Sequence, residues 1–382
     1  MKAVRAMTAL GLAGLLALQT PVCSMAQAEK PETMDDQTWA RLQDQVLEYD
    51  EIGDRVELYN PTYQQVIQNI QVNIQPYEDA AQTLRGSAKD LMGEASGFKD
   101  ENKMMYQMYR GYAKGYQEAA KNFEKVAKSI KSSTRSTLNS TRKQLTSGVQ
   151  QLMLGYYQAR ASKEMVDTAA QLAQAAYDSA VTRRNIGMAT ELEVTEAEKS
   201  LRSALDGQQT LNDTLTSLHR QLLFMTGWSY DEAVEVGAPP VPNLSEIDGM
   251  NPENDLTRAI GNNYTLIAQR GASGKGTANH DAKFRTLDES EMKVKIQLES
   301  LYQTVVQNRI SYEAARTAME GARLTMDGNE KKYQLGMLGK LEYLQMKMVY
   351  LQQKSAADAA ALELVQAMES YRWAVEGLAD IS

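Results

Sequence analysis

The amino-acid sequence predicts an all-α protein built from two tandem repeats of long antiparallel helical hairpins, with little or no β-structure. Three observations carry that expectation. The octet Ile186-Gly187-Met188-Ala189-Thr190-Glu191-Leu192-Glu193 returns 149 positions later as Leu335-Gly336-Met337-Leu338-Gly339-Lys340-Leu341-Glu342, and self-similarity of this kind fixes architecture before single residues are interpreted. The prolines stand at 21, 31, 61, 76, 239, 240, 242 and 252, which leaves 77–238 and 253–382 free of the strongest helix breaker. Apolar residues then recur at helical spacing, as in Leu211, Leu215, Leu218, Leu222 and Met225, and again in Leu364, Ala367, Tyr371, Ala374 and Leu378.

At the N-terminus, Lys2 and Arg5 precede an apolar run from Met7 to Leu18 and then Ala26-Gln27-Ala28, the parts of a secretory signal with a small-residue cleavage site. Residues 1–28 are therefore expected to be a signal peptide and the protein to be exported to the cell envelope. A lipoprotein reading would use Cys23, but Val22 stands where lipid attachment wants a small residue. Cleavage after Ala28 removes Cys23 and leaves a mature chain without cysteine, which excludes a disulfide framework and thiolate chemistry.

The first repeat is expected over 29–238. It opens with Val56-Glu57-Leu58-Tyr59-Asn60-Pro61, and the second repeat, 255–382, opens with Ala259-Ile260-Gly261-Asn262-Asn263-Tyr264. The first repeat carries roughly fifty extra residues between its opening and Gly187, most of them expected in 86–147. That insert holds a Gly-containing stretch, 86–97, and a basic Ser/Thr-rich stretch, 128–147, whose composition reads as a solvated helix face or a loop. Ala169, Leu172, Ala176 and Ala180 form a small-residue seam that lets helices approach closely. Each octet holds a glycine where periodicity is interrupted and a Leu-Glu step that restarts it, so Gly187 and Gly336 mark hairpin tips. Between the repeats, Gly237-Ala238-Pro239-Pro240-Val241-Pro242 and Asp248-Gly249-Met250-Asn251-Pro252 define a Pro-rich crossover, 239–254, expected to be non-helical.

Composition narrows the function. Loss of the signal would take the net charge from −8 to −10, which argues against a nucleic-acid partner. Beyond the signal no apolar run approaches the ~20 residues of a membrane-spanning helix. His219 and His280 have no second histidine at metal-ligand spacing, and Gly271-Ala272-Ser273-Gly274-Lys275 lacks the spacing and the preceding strand of a phosphate loop. No metal, no cofactor and no enzymatic activity are expected.

A Gly, then a Thr or Gly, then Leu192-Glu193-Val194 or Leu341-Glu342-Tyr343, followed by an Ala/Leu-spaced helix, together with Leu58-Tyr59-Asn60-Pro61, resembles the TolC family of outer-membrane efflux proteins. The resemblance runs from about residue 40 to 378. It implies a homotrimer whose helices enclose a hollow cylinder, with the tips at the end where an adaptor docks and an inner-membrane transporter supplies the energy. It also implies that Tyr333 closes the aperture by bonding an acidic residue on the other hairpin, where Glu193 stands, and that Glu342 belongs to a constriction ring. Leu338 replaces a latch arginine and Gln345 a second ring aspartate, so a weaker latch and a less charged ring are expected.

The family's barrel strands of ~9–11 alternating residues do not stand out. Ile70-Gln71-Val72-Asn73-Ile74-Gln75 alternates, but Ile67, Ile70, Ile74 and Tyr77 also step as a helix, and 271–276 reads as a short glycine-rich turn. The expected function is an exported, passive outer component of an efflux or secretion conduit. The alternative is a non-transporting coiled-coil scaffold of the cell surface or envelope.

Overall fold

The computed structural model describes residues 30–31, 34–230, 232–271 and 277–381. The expected signal segment 1–28, most of the glycine-rich segment 271–276 and the His280 side chain lie outside the described residues.

Helix dominates, as the periodicity requires. A short α1 (Asp36–Arg41) leads to a two-residue strand β1 (Val46–Leu47) and α2 (Ile52–Tyr59). Two long helices follow, α3 (Pro61–Gly97) and α4 (Lys103–Ala161), and α5 (Lys163–Asn185) continues α4 beyond Ser162. The chain reverses into α6 (Glu191–Met225) and returns through β2 (Glu235–Val236), which pairs parallel to β1 with Val46 opposite Glu235. The second half comprises α7 (Leu244–Gly249), α8 (Pro252–Asn262), α9 (Tyr264–Gly271), α10 (Thr277–Gln334) and α11 (Lys340–Trp373), closed by a π-helical turn at Ala374–Leu378.

Two segments whose sequence left helix open or argued against it are helical. Residues 70–75 are helix, and α3 runs straight through Pro76. Proline removes one N–H and therefore frees the carbonyl of Val72; both residues are exposed. The crossover was expected to be non-helical, yet α7 forms inside it. No proline falls between 243 and 251, and the Asn243 side chain accepts from Ser245 N–H, which is enough to cap two short turns.

The extra residues of the first half form an antiparallel coiled coil. On α3 the buried positions Ile74, Ala81, Ala88 and Ala95 repeat every seven residues, as do Ala113, Ala120 and Ala127 on α4. A seven-residue repeat keeps one seam facing a partner helix. Ion pairs Arg85–Glu124 at 2.6 Å and Lys131–Glu78 at 2.6 Å fix a register that sets Ala81, Ala88 and Ala95 level with Ala127, Ala120 and Ala113.

The body holds two cores, one per half. The first gathers Leu47, Ile52, Val56, Val149, Met153, Leu222, Leu223 and Trp228. The second gathers Ala259, Leu266, Val294, Leu298, Leu364, Met368, Tyr371 and Val375. A matching junction ties each half together. The Asn60 side chain accepts from Tyr63 N–H at 3.0 Å, capping α3, and donates to the Met225 carbonyl at 2.7 Å. Asn263 accepts from Leu266 N–H at 3.1 Å, at the head of α9, and donates to the Ala379 carbonyl at 3.0 Å. Both asparagines are buried. Beside them the exit chain turns through Gly227 (φ 85) and Gly377 (φ 102), where an added Cβ would lie 2.2 Å from Tyr59 Cβ and 2.2 Å from the Asn262 carbonyl oxygen.

The first junction also buries a charge. Arg55 is fully enclosed, its guanidinium 3.2 Å from the Trp228 ring centroid, with Nη1 donating to the Leu42 carbonyl at 2.9 Å and lying 4.0 Å from Glu51. Burial drives the Glu51 carboxyl up from 4.5 to about 7, partly offset by Arg55.

Two stability predictions follow from this geometry. Gly227→Ala and Gly377→Ala meet both a left-handed backbone and backbone neighbours, so each is expected to cost about 3 kcal/mol or more. Gly187→Ala and Gly336→Ala keep positive φ but open onto empty space, and are expected to cost only about 1–2 kcal/mol; urea melts of the four variants compare them directly. For Glu51, the folded carboxyl holds its proton to a higher pH than the unfolded one, so its contribution to stability is lost as pH rises from 4.5 to about 7. Glu51→Gln is therefore expected to gain on the parent protein on the order of 2–3 kcal/mol between pH 4.5 and pH 8. Parallel pH-dependent melts that track each other throughout would contradict it.

Candidate functional site at the hairpin tips

The two tips have the same backbone. At the end of α5, Met188 N–H bonds the Arg183 carbonyl at 2.7 Å and Gly187 N–H bonds the Arg184 carbonyl at 2.9 Å. At the end of α10, Met337 N–H bonds the Lys332 carbonyl at 2.8 Å and Gly336 N–H bonds the Tyr333 carbonyl at 3.0 Å. This double bonding around a left-handed residue terminates a helix and satisfies its last carbonyls. Gly187 (φ 75) and Gly336 (φ 71) supply that conformation.

Each bend pushes apolar side chains into solvent. Ile186, Met188 and Leu192 at one tip and Leu335 and Met337 at the other are 65–75% exposed. Exposed apolar clusters on otherwise polar helices mark surfaces that meet a partner. Cations surround them, with Arg183 and Arg184 ending α5 and Lys331 and Lys332 ending α10.

The carboxylates differ between the tips. Thr190 caps α6 with its hydroxyl, and Glu193 reaches back to the Thr190 N–H at 2.6 Å, closing a reciprocal cap. That N–H holds the Glu193 carboxyl below its ordinary range. At the equivalent position of α11 the cap is Gly339, which has no side chain to offer, so Glu342 makes no such bond and stands exposed.

Tyr333 does not reach across to Glu193 within the protomer as described. Its ring stacks on Tyr343, centroids 4.2 Å apart at 14°. Tyr343 in turn donates its hydroxyl to Glu330 at 2.5 Å, and Gln334 Nε2 donates to the same carboxylate at 3.0 Å. The Tyr343 bond holds Glu330 below the usual carboxylate range, and Tyr343 is pushed up to about 12. Sequence reasoning passed over Tyr343 and Glu330. The available signal was their placement, one residue after Glu342 and three residues before Tyr333, on the facing helices of one tip. The first tip has an ionic counterpart, Arg184 to Glu191 at 2.7 Å.

His219 is accounted for locally: its Nε2 lies 2.9 Å from the Val234 carbonyl and its ring 6.2 Å from Tyr156. Among the described residues no group of three or more His, Cys, Asp or Glu is arranged to hold a metal ion, and no helix is long and apolar enough to cross a membrane.

No family model matches the chain, and no curated protein matches it. Solved structures do. The Campylobacter jejuni CmeC outer membrane channel is similar over 94% of this chain and 92% of its own, at 11% identity and a TM-score of 0.46. A membrane protein from Pseudomonas aeruginosa matches at 12% identity and TM-score 0.47 over 86% of this chain and 90% of its own. The outer membrane protein VceC from Vibrio cholerae matches at 11% identity and a TM-score of 0.42, over 83% of this chain and 97% of its own.

Removing the Tyr343 hydroxyl isolates the cross-helix tie at the second tip. Tyr343→Phe is expected to return the Glu330 carboxyl upward toward its ordinary range and to speed amide exchange across 335–339, both measurable by NMR. An unmoved Glu330 titration would show that the hydroxyl bond is not formed in solution.

Proposed function

We propose that the protein is an exported, TolC-like outer component of an efflux or secretion conduit: a passive homotrimeric helical channel that works with an envelope adaptor and an inner-membrane transporter. The observation that carries this reading is the duplicated tip. Two long hairpins, one per half, end in the same left-handed glycine bend, each presenting an exposed Met beside an exposed Ile or Leu. A ring of such tips offers repeated apolar contacts to a partner with matching symmetry, the arrangement expected of an adaptor-docking end.

Within this reading Glu342 is the carboxylate available to a constriction, because its equivalent, Glu193, is engaged in a helix cap. Three copies around one axis would concentrate negative potential and favour cations. Tyr333, tied to Tyr343, sits beside that ring as the aperture residue. Residues 29–238 and 255–382 act as the two repeat units, joined by the crossover 239–254.

A second reading, a non-transporting envelope scaffold, is favoured by one observation: where the resemblance would place membrane strands in the first half, the chain instead builds the α3–α4 coiled coil.

Mass measurement in detergent and in buffer, with conductance in planar bilayers, decides between them. The conduit reading expects trimers and a cation-preferring conductance whose preference falls in Glu342→Gln and is unchanged in Glu193→Gln. Detergent-independent monomers with zero conductance would remove the conduit and leave the scaffold.

A further inference from the structure

The α3–α4 coiled coil has two unlike broad sides. On one side α4 presents Met108, Tyr112, Tyr116, Phe123 and Val126, each 37–56% exposed. Their steps of four, four, seven and three residues place them within roughly a quarter turn of one another on a helix of 3.6 residues per turn. This is a second apolar stripe beside the Ala113, Ala120 and Ala127 seam that faces α3; its Phe123 ring lies 6.3 Å from that of Tyr77 on α3. On α3 the positions flanking the seam on that side between 62 and 87 carry no charge, Ala80, Thr83 and Ser87 among them. The first charges there, Asp90 and Glu94, come only near the hairpin's end.

The other broad side is ionic. It carries the Arg85–Glu124 and Lys131–Glu78 pairs, and Lys114, Lys121, Lys125 and Lys128 lie on the face of α4 turned away from the apolar stripe. A helix with two seams of heptad-like spacing belongs to a bundle of more than two helices, and beside this stretch of α4 the described residues of one copy place α3.

We infer that the missing helices come from a second copy of this chain, the α3–α4 hairpins of separate copies packing through their apolar sides. The area is sufficient. From Met104 to Val126 the stripe runs about 33 Å, and a helix pair is ~20 Å across, so contact would bury on the order of 1,300 Å² in total, within the range of stable interfaces. Charge also fits, because the neutral sides meet without like-charge repulsion while the lysines stay in water. A bilayer surface fits less well, since anionic headgroups would attract the lysine side and turn the apolar stripe away from the membrane. The inference rests on the oligomeric part of the conduit reading and adds where the copies meet: along a helical hairpin, in the region where the resemblance would place barrel strands.

Single cysteines in a full-length Cys23→Ser background test it. Tyr112→Cys and Val126→Cys lie on the apolar side, Lys114→Cys and Lys121→Cys on the ionic side. At protein concentrations where copies associate, maleimide labelling at 112 and 126 is expected to slow at least about tenfold relative to dilute protein, the protection of a contact that opens only about a tenth of the time, while labelling at 114 and 121 is unchanged. Tyr112→Ser with Val126→Ser, helical content intact, is expected to weaken association on the order of 100-fold, as for two side chains no longer buried. Oligomers that leave 112 and 126 as reactive as in dilute protein would overturn the hairpin contact while leaving the conduit reading in place. Protection that appears only on adding phosphatidylglycerol vesicles would overturn it in favour of a bilayer. Protected hairpins in a protein without conductance would sustain this inference and sink the conduit.

Discussion

The structure depends on a pair of asparagine clasps. Asn60 and Asn263 each end a short helix, cap the next one with a side-chain oxygen, and tie a side-chain nitrogen to the carbonyl of the chain leaving the same half. Because the residues are buried, a lost bond would leave a desolvated amide without a partner, which is costlier than losing the same bond at a surface. The clasps also explain the glycines beside them. The exit chain must pass so close to Tyr59 and Asn262 that no Cβ fits at Gly227 or Gly377. One requirement, the return of a long hairpin to its own starting point, thus fixes an asparagine at the entrance and a glycine at the exit of each half.

From this constraint the rest of the body follows. With entrance and exit fixed, α6 and α11 must run nearly the same length, and they do, 35 and 34 residues from tip to exit. The two halves are then joined along their helices. Glu164 of α5 meets Lys354 of α11 at 2.7 Å, Trp373 Nε1 donates to Gln150 of α4 at 2.9 Å, and Lys143 pairs with Glu376 at 3.0 Å. These contacts are partly exposed and contribute modestly each. The apolar cores of the two halves, which share α11 through Leu362 and Val365 on one side and Leu364 and Met368 on the other, do most of the joining.

The sequence made the long helices legible because periodicity and the absence of proline act locally. The bends at 187 and 336 were legible for the same reason, since a helix terminus needs its left-handed residue within the motif itself. Gly227 and Gly377 were not, because what demands glycine there is a residue more than a hundred positions away in sequence. Pro76 is tolerated inside α3 because it lies on the exposed face of a helix packed along its other side. The helix inside the crossover was hidden by the prolines on either side of it. Arg55 gives no sequence signal at all, since its burial depends on Trp228 folding over it from beyond α6.

The difference between the tips shows how duplication permits specialisation. The repeats conserve a glutamate at the same place in the octet, Glu193 and Glu342, and its chemistry is set by the residue three positions earlier. Threonine at 190 offers a hydroxyl, so the glutamate folds back, its charge spent on the helix's own first N–H groups. Glycine at 339 offers nothing, so the second carboxylate projects into solvent. One tip is thereby tied by its cap and the Arg184–Glu191 pair, while the other leaves Glu342 exposed and is tied by the Tyr343–Glu330 bond and the Tyr333 stack. The two tips are therefore alike in backbone shape and unlike in how their carboxylates are held.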